Sequence, residues 1–145
     1  MVEISRLNFE NVREGDVASF EEILTEKMID DFALVSGDFS TLHVHNDFAE
    51  ARGFRGRVAH GVLLASFLSR MVGMHLPGEN ALLLAMNVKF SAPAYVGDRI
   101  NVHATVDQVS ESTRVVVLKI LIKNMASQEH LVTGKIHVGF TRPKE

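Results

Sequence analysis

The chain has no cysteine. That excludes a disulfide framework and a thiolate nucleophile, and it fits a reduced compartment, so a cytoplasmic location is expected. An excess of either charge is also missing: 15 Lys and Arg stand against 18 Asp and Glu, a formal charge of -3, and the basic residues are scattered. Neither a nucleic acid nor an anionic membrane is therefore an expected partner. Long apolar runs are absent too, since the longest is interrupted by Ser66, Ser69 and Arg70. No membrane span is expected from it. The opening "MVEISRLNFENVREGD" lacks the basic-then-apolar order of a secretory signal. No repeat, low-complexity tract or linker rich in proline, glycine or serine divides the chain. What remains is 145 residues with 46% apolar positions, enough for one compact domain with a core and for little more. A single domain over residues 1–145 is expected.

Punctuation orders what is there. A first strand is predicted over Val17–Thr25. After it, "EKMIDDFALVSGD" has Met28, Phe32 and Val35 at helical spacing, with Gly37 where a C-terminal cap belongs. A second short helix is predicted from Asp47 to about Arg52, capped by Asn46 and ended near Gly53, which leaves Asp38 to His45 as a connecting loop. In "AHGVLLASFLSRMVGMHLPG" the residues Val62, Leu63, Leu64, Phe67, Leu68, Met71 and Val72 cover nearly the whole circumference of a helix. Burial on most sides is expected of it, and Pro77 and Gly78 stop it. Everything afterwards has the period of strands: Leu82, Leu84, Met86, Val88 and Phe90; then Arg99 to about Val109; then Val116, Leu118, Ile120 and Ile122; then Val132, Ile136, Val138 and Phe140. One apolar helix among long antiparallel strands predicts an α+β fold in which a curled sheet surrounds a central helix.

The chemistry concentrates in "SGDFSTLHVHNDFAEARGF", where Asp38 precedes His43 by five residues. On one continuous helix such positions would be rotated by roughly 140° from each other, whereas in a loop they can converge. A carboxylate accepts hydrogen bonds and an imidazole donates or accepts near neutral pH, so together they can hold one water and move protons in both directions. Plainer roles compete with this reading. Asp38 alone serves as a turn cap after Gly37, and His43 alone as a structural or surface histidine.

The string "FALVSGDFSTLHVHNDFAEARGFRGRVAHGVLLAS" resembles the signature of the MaoC-like, (R)-specific enoyl-CoA hydratases, in which Asp-x-Asn-Pro-x-His precedes a His-Gly-x-Leu helix start. The likeness extends through "KFSAPAYVGDRINV" and covers roughly Phe32 to Val106. The resemblance implies the hot-dog fold and addition of water to a 2-enoyl thioester, or its removal from a 3-hydroxyacyl thioester, as in fatty acid metabolism. It also implies acyl-CoA or an acyl carrier protein as the thioester's bearer, no metal or other cofactor, and a homodimer or higher homo-oligomer. Two such sheets pairing edge to edge would also cover their free strands. By the resemblance, Asp38 and His43 are the catalytic pair. Asp38 would take a proton from water as it attacks the β carbon, and His43 would orient the water and help deliver a proton to the α carbon. The Gly61 backbone amide, at a helix start and without a side chain in the way, would polarise the thioester carbonyl.

Ser66, Ser40, His60 and Phe39 are the expected substrate-binding residues, with Ser66 equally suited to bonding its own helix carbonyl. Leu42 and Phe48 serve an acyl pocket or the core, Lys89 and Arg99 a solvated strand face ahead of the phosphates of a pantetheine carrier, and Ser69 and His75 structure. The chain departs from the family pattern where Ser40 and Thr41 replace Asn-Pro and where His45 stands two residues after His43 in place of an acidic residue. Loss of the proline frees the backbone, and loss of the amide removes a planar donor and acceptor. "HVH" also opens a metal reading, with His43, His45 and either Asp38 or His60 as ligands. A hot-dog thioesterase and a non-catalytic acyl-thioester-binding protein are the remaining alternatives.

Overall fold

In the computed structural model, which describes residues 2–144, strand β1 spans Val17–Ile23 and is followed by helix α1 over Glu26–Ser36. The strand stops two residues short of the expected Thr25, because the Thr25 hydroxyl accepts the Met28 amide and caps α1. Gly37 closes that helix as anticipated, in the left-handed conformation (φ 77°) that a side chain would strain. The segment from Asp38 to His45 is not all loop. Thr41–Val44 forms a single helical turn, α2, and Asn46–Ala51 forms α3. Asn46 does not cap α3 as expected. The helix begins one residue earlier, so that Asn46 is its first residue and His45 its cap, and the Asn46 side-chain oxygen accepts the Arg57 amide at 3.0 Å.

Helix α4 covers Gly61–Arg70 and runs into a π-helical turn, Met71–His75, ahead of Pro77. Strands β2 (Ala81–Phe90), β3 (Arg99–Ser110), β4 (Val115–Asn124) and β5 (His130–Phe140) complete one antiparallel sheet in the order β1-β3-β4-β5-β2. The four strands expected after the helix, and the one before it, are all present. Alternation decides which face packs: Ile100, Val102, Ala104 and Val106 of β3, Val116, Leu118, Ile120 and Ile122 of β4, and Val132, Ile136 and Val138 of β5 are buried. They share one core with Leu63, Leu64, Leu68, Met71 and Val72.

Burial departs from the apolar pattern on α4 and on β2. Val62 is 62% exposed, and with Ser66 and Ser69 it forms an outward stripe at helical spacing, so α4 is not buried on most sides. On β2, Leu82, Leu84 and Phe90 are exposed, while Met86 and Val88 pack against the core. A single five-stranded sheet covers one side of a helix, and β2 is an edge strand bonded to β5 alone. Among the described residues, no helix is long and apolar enough to cross a membrane.

At the far end of α4, His75 stacks on Phe20 with centroids 4.9 Å apart, and its Nε2 is buried without a hydrogen-bond partner among the described residues. Loss of hydration, reinforced by the nearby Arg70 guanidinium, holds this imidazole below its ordinary 6.5. The unfolded chain therefore takes up the proton first as pH falls. The contribution of neutral His75 is complete above pH 6.5 and is lost as pH drops through and below that value. Urea denaturation across this range should show wild type weakening toward acid, and His75→Phe should flatten that acid limb.

Candidate active site

An extended segment, Arg57 to His60, assembles the site by bonding to several other parts of the chain. The Val58 amide donates to the Leu42 carbonyl at 3.2 Å, and the Ala59 amide to Ala94 at 2.8 Å. Val58 also bridges to Tyr95 in antiparallel fashion. In return the His43 ring reaches the Val58 carbonyl through Nδ1 at 2.7 Å. A carbonyl only accepts, so Nδ1 carries the proton in this bond and the neutral ring presents a bare Nε2. Only 3.9 Å separates that Nε2 from Asp38 Oδ2. This is too long for a direct hydrogen bond and suited to one shared water.

Asp38 is held by local bonds at two points: its amide donates to Ser36 Oγ at 3.1 Å, and its Oδ1 accepts the Ser40 amide at 3.0 Å. Its side chain stays half exposed, whereas that of His43 is mostly covered. His60 lies behind both. It is 2% exposed, its Nε2 meets the Asp38 carbonyl at 2.9 Å, and its ring stacks on His43 with centroids 3.9 Å apart. Gly61 follows it as the first residue of α4, where amides have no carbonyl of their own helix to bond. A Cβ at Gly61 would stand 3.1 Å from the Phe90 ring, so the missing side chain lets Phe90 close over the helix start.

Of the residues expected from the sequence, Asp38, His43, His60 and Gly61 are thus brought together. Phe39, 58% exposed, and Ser40, at the start of α2, flank them on the loop. Ser66 is exposed, and its hydroxyl donates to the Leu63 carbonyl at 2.6 Å. Leu42 is half-buried, as is Phe48, whose ring carries the Arg52 guanidinium 4.5 Å from its centroid. Arg99 pairs with Glu21 at 3.8 Å on the sheet surface, and Lys89 is exposed.

His45 stands apart from this group. It follows the helical turn α2, is exposed, and does not share an extended face with His43, so the ligand set drawn from "HVH" is not assembled. Ligand-capable atoms of Asp38, His43 and His60 do lie within 4.8 Å of one another. Imidazole lone pairs lie in the ring plane, however, and two rings stacked at an interplanar angle of 27° point them side by side, not toward a common centre. The His60 Nε2 is in any case engaged by the Asp38 carbonyl.

Arg57 is the residue that sequence reasoning missed. It is buried, its Nε donates to the His43 carbonyl at 2.7 Å, and its guanidinium reaches Asp30 and, at 3.6 Å, Glu26 on α1. The sequence signal was faint: an arginine three residues before "HG", with carboxylates spaced one helical turn apart far upstream.

A family model described as "MaoC like domain" matches residues 9–128. An (R)-specific enoyl-CoA hydratase of Rhodospirillum rubrum is 39% identical over 98 residues, which are 68% of this chain and 68% of that protein. A 3-hydroxybutyryl-CoA dehydratase of Methylorubrum extorquens is 29% identical over 112 residues, covering 77% of this chain and 71% of the relative. Among solved structures, the (R)-hydratase from A. caviae involved in PHA biosynthesis superimposes with a TM-score of 0.87 at 28% identity, over 91% of this chain and 99% of that one. The hot-dog fold expected from the sequence is thereby shown.

Removing Arg57 strips a charged donor from the His43 carbonyl. Arg57→Leu should cost about 1–3 kcal/mol of unfolding free energy in a urea titration. Arg57→Lys should recover little of it, since one ammonium cannot reproduce a planar fork reaching both the carbonyl and α1.

Proposed function

Since the chain belongs to the MaoC-like domain family, we propose that it is an (R)-specific 2-enoyl-thioester hydratase, or equally a 3-hydroxyacyl-thioester dehydratase, working through Asp38 and His43. The observation that carries this reading is the 3.9 Å gap between Asp38 Oδ2 and the bare Nε2 of His43. An ionised carboxylate and an unprotonated imidazole nitrogen are both acceptors. A water between them donates one hydrogen to each and turns its lone pairs away from the protein, toward the β carbon of a bound enoyl thioester.

The bond changes balance without a redox partner. The water oxygen bonds to the β carbon as one of its O–H bonds breaks, Asp38 takes that proton, and the electron pair of the double bond moves onto the α carbon and the thioester oxygen. Asp38 then gives its proton back to the new hydroxyl oxygen as that oxygen passes its other hydrogen to His43 Nε2. Nε2 delivers it to the α carbon, which restores both groups, and dehydration runs the same steps backward. Negative charge developing on the thioester oxygen falls to the Gly61 amide, where a free N–H and the positive end of α4 coincide. Phe39 and Ser40 flank the water position and are assigned to substrate contact, as is Ser66 one turn into α4.

The thioester's bearer, coenzyme A or an acyl carrier protein, follows the names of the relatives. One domain, a cytoplasmic location, a role in fatty acid metabolism and a homodimer complete the reading. The exposed Leu82, Leu83 and Leu84 on an edge strand with one neighbour support pairing of β2 with a second copy.

Two measurements test this. With crotonyl-CoA and longer trans-2-enoyl-CoAs, the enoyl-thioester absorbance should fall without release of free thiol and yield the (R)-3-hydroxyacyl product. Asp38→Asn and His43→Gln should each lower kcat by roughly 10²–10⁴-fold. Thiol release would make the protein a thioesterase, and absence of turnover with retained binding would make it an acyl-thioester-binding protein. Sedimentation at micromolar concentration should show a dimer, and a stable monomer would contradict the pairing through β2.

A further inference from the structure

His60 has a buried side chain that does not serve its own helix. It occupies the N-cap position of α4, yet makes no side-chain bond to that helix. Instead its Nε2 reaches across 22 residues of sequence to the Asp38 carbonyl at 2.9 Å. Because that oxygen only accepts, the bonded form carries its proton on Nε2 and leaves Nδ1 as the bare nitrogen. Nδ1 is buried, with no hydrogen-bond partner among the described residues. A phenylalanine ring would fill the same slot without leaving a buried acceptor unsatisfied. The histidine's distinguishing contribution is therefore its one donor.

What that donor holds is the least anchored part of the site. The other hydrogen bonds made by Asp38, to Ser36 and from Ser40, are local in sequence and move with the loop. The bond from His60 ties the Asp38 backbone to the body of the protein. The same ring stacks on His43 at 3.9 Å and 27°, and is itself braced edge-on by Phe32 of α1, with centroids 4.8 Å apart. Its peptide bond leads directly to Gly61.

We propose that His60 is a positioning residue which sets the Asp38–His43 pair at a fixed place relative to the Gly61 amide, so that water and thioester carbonyl meet in register. This rests on the hydratase reading above. Burial at 2% exposure keeps His60 from the substrate contact expected of it from the sequence, so it acts through the two residues that it contacts. Reactions that depend on such registration are sensitive to displacements of an ångström or less.

The test separates the donor from the ring. His60→Phe keeps the stack and loses the hydrogen bond; His60→Gln places an amide N–H near the position of Nε2–H and loses the stack. With crotonyl-CoA, His60→Phe should lower kcat roughly tenfold with KM within about twofold, while retaining the wild-type melting temperature or exceeding it. His60→Gln should restore most of that kcat. Wild-type kcat in His60→Phe, a loss confined to KM, or a glutamine variant no better than the phenylalanine one would each overturn the proposal.

Long-range ¹H–¹⁵N spectra of the wild-type imidazoles supply a readout that needs no variant. The Nε2–H form of His60, with slow proton exchange, is expected. An Nδ1–H form, or rapid exchange, would refute the anchoring bond. Failure of wild type to hydrate any enoyl-CoA would sink the hydratase reading by itself, and the spectrum would then decide whether His60 still holds the loop.

Discussion

The site depends on the hydrogen bond between the His43 ring and the Val58 carbonyl, 2.7 Å long, and on the extended segment that supplies that carbonyl. One interaction does three things at once. It docks α2 on the body of the protein, it selects the proton-bearing nitrogen of the imidazole, and it aims the opposite nitrogen at Asp38. A histidine free to choose its tautomer would spend part of its time presenting N–H where an acceptor is needed. The neighbouring bonds, from Arg57 to the His43 carbonyl and from Val58 to Leu42, make the same junction from the other side. Two segments that are each too short and too polar to fold alone thereby become one rigid wall.

That rigidity bears on the departures of this chain from its family pattern. Ser40 and Thr41 stand where asparagine and proline are usual, yet the chain there still turns into a helix, with the His43 amide on the Ser40 carbonyl at 2.8 Å. Local hydrogen bonding and tertiary anchoring replace the restriction on backbone freedom that a proline provides. His45, the third departure, is turned to the surface and leaves the pair unaltered.

The apolar side chains exposed on α4 and β2 share a physical origin. One five-stranded sheet covers a helix on one side and leaves its own edge strands open. Val62 on α4 and Leu82, Leu83 and Leu84 on β2 are among the apolar side chains left uncovered. In the proposed dimer, a second copy pairing along β2 would shield the edge strand. Uniform hydrophobicity in a sequence states that a segment wants burial without stating whether the same chain supplies it.

By itself the sequence determined the elements and their order. Alternation of period two marked β3, β4 and β5, where inward residues are buried one by one, and Gly37 ended α1 where only a left-handed residue serves. The resemblance of the loop and the helix start to the MaoC-like pattern singled out Asp38, His43 and Gly61, and their chemistry, two proton-moving side chains and a helix start without one, agrees with it. Tertiary structure decided the rest. Thr41–Val44 is helical because docking on Val58 stabilises a turn that its own propensity would not sustain. Asn46 and Arg57 found their partners across the fold, and His60 became the neighbour of both Asp38 and His43. Periodicity is a local property that each stretch carries in itself. A contact between residues far apart along the chain exists only after the sheet and α4 have brought their backbones together.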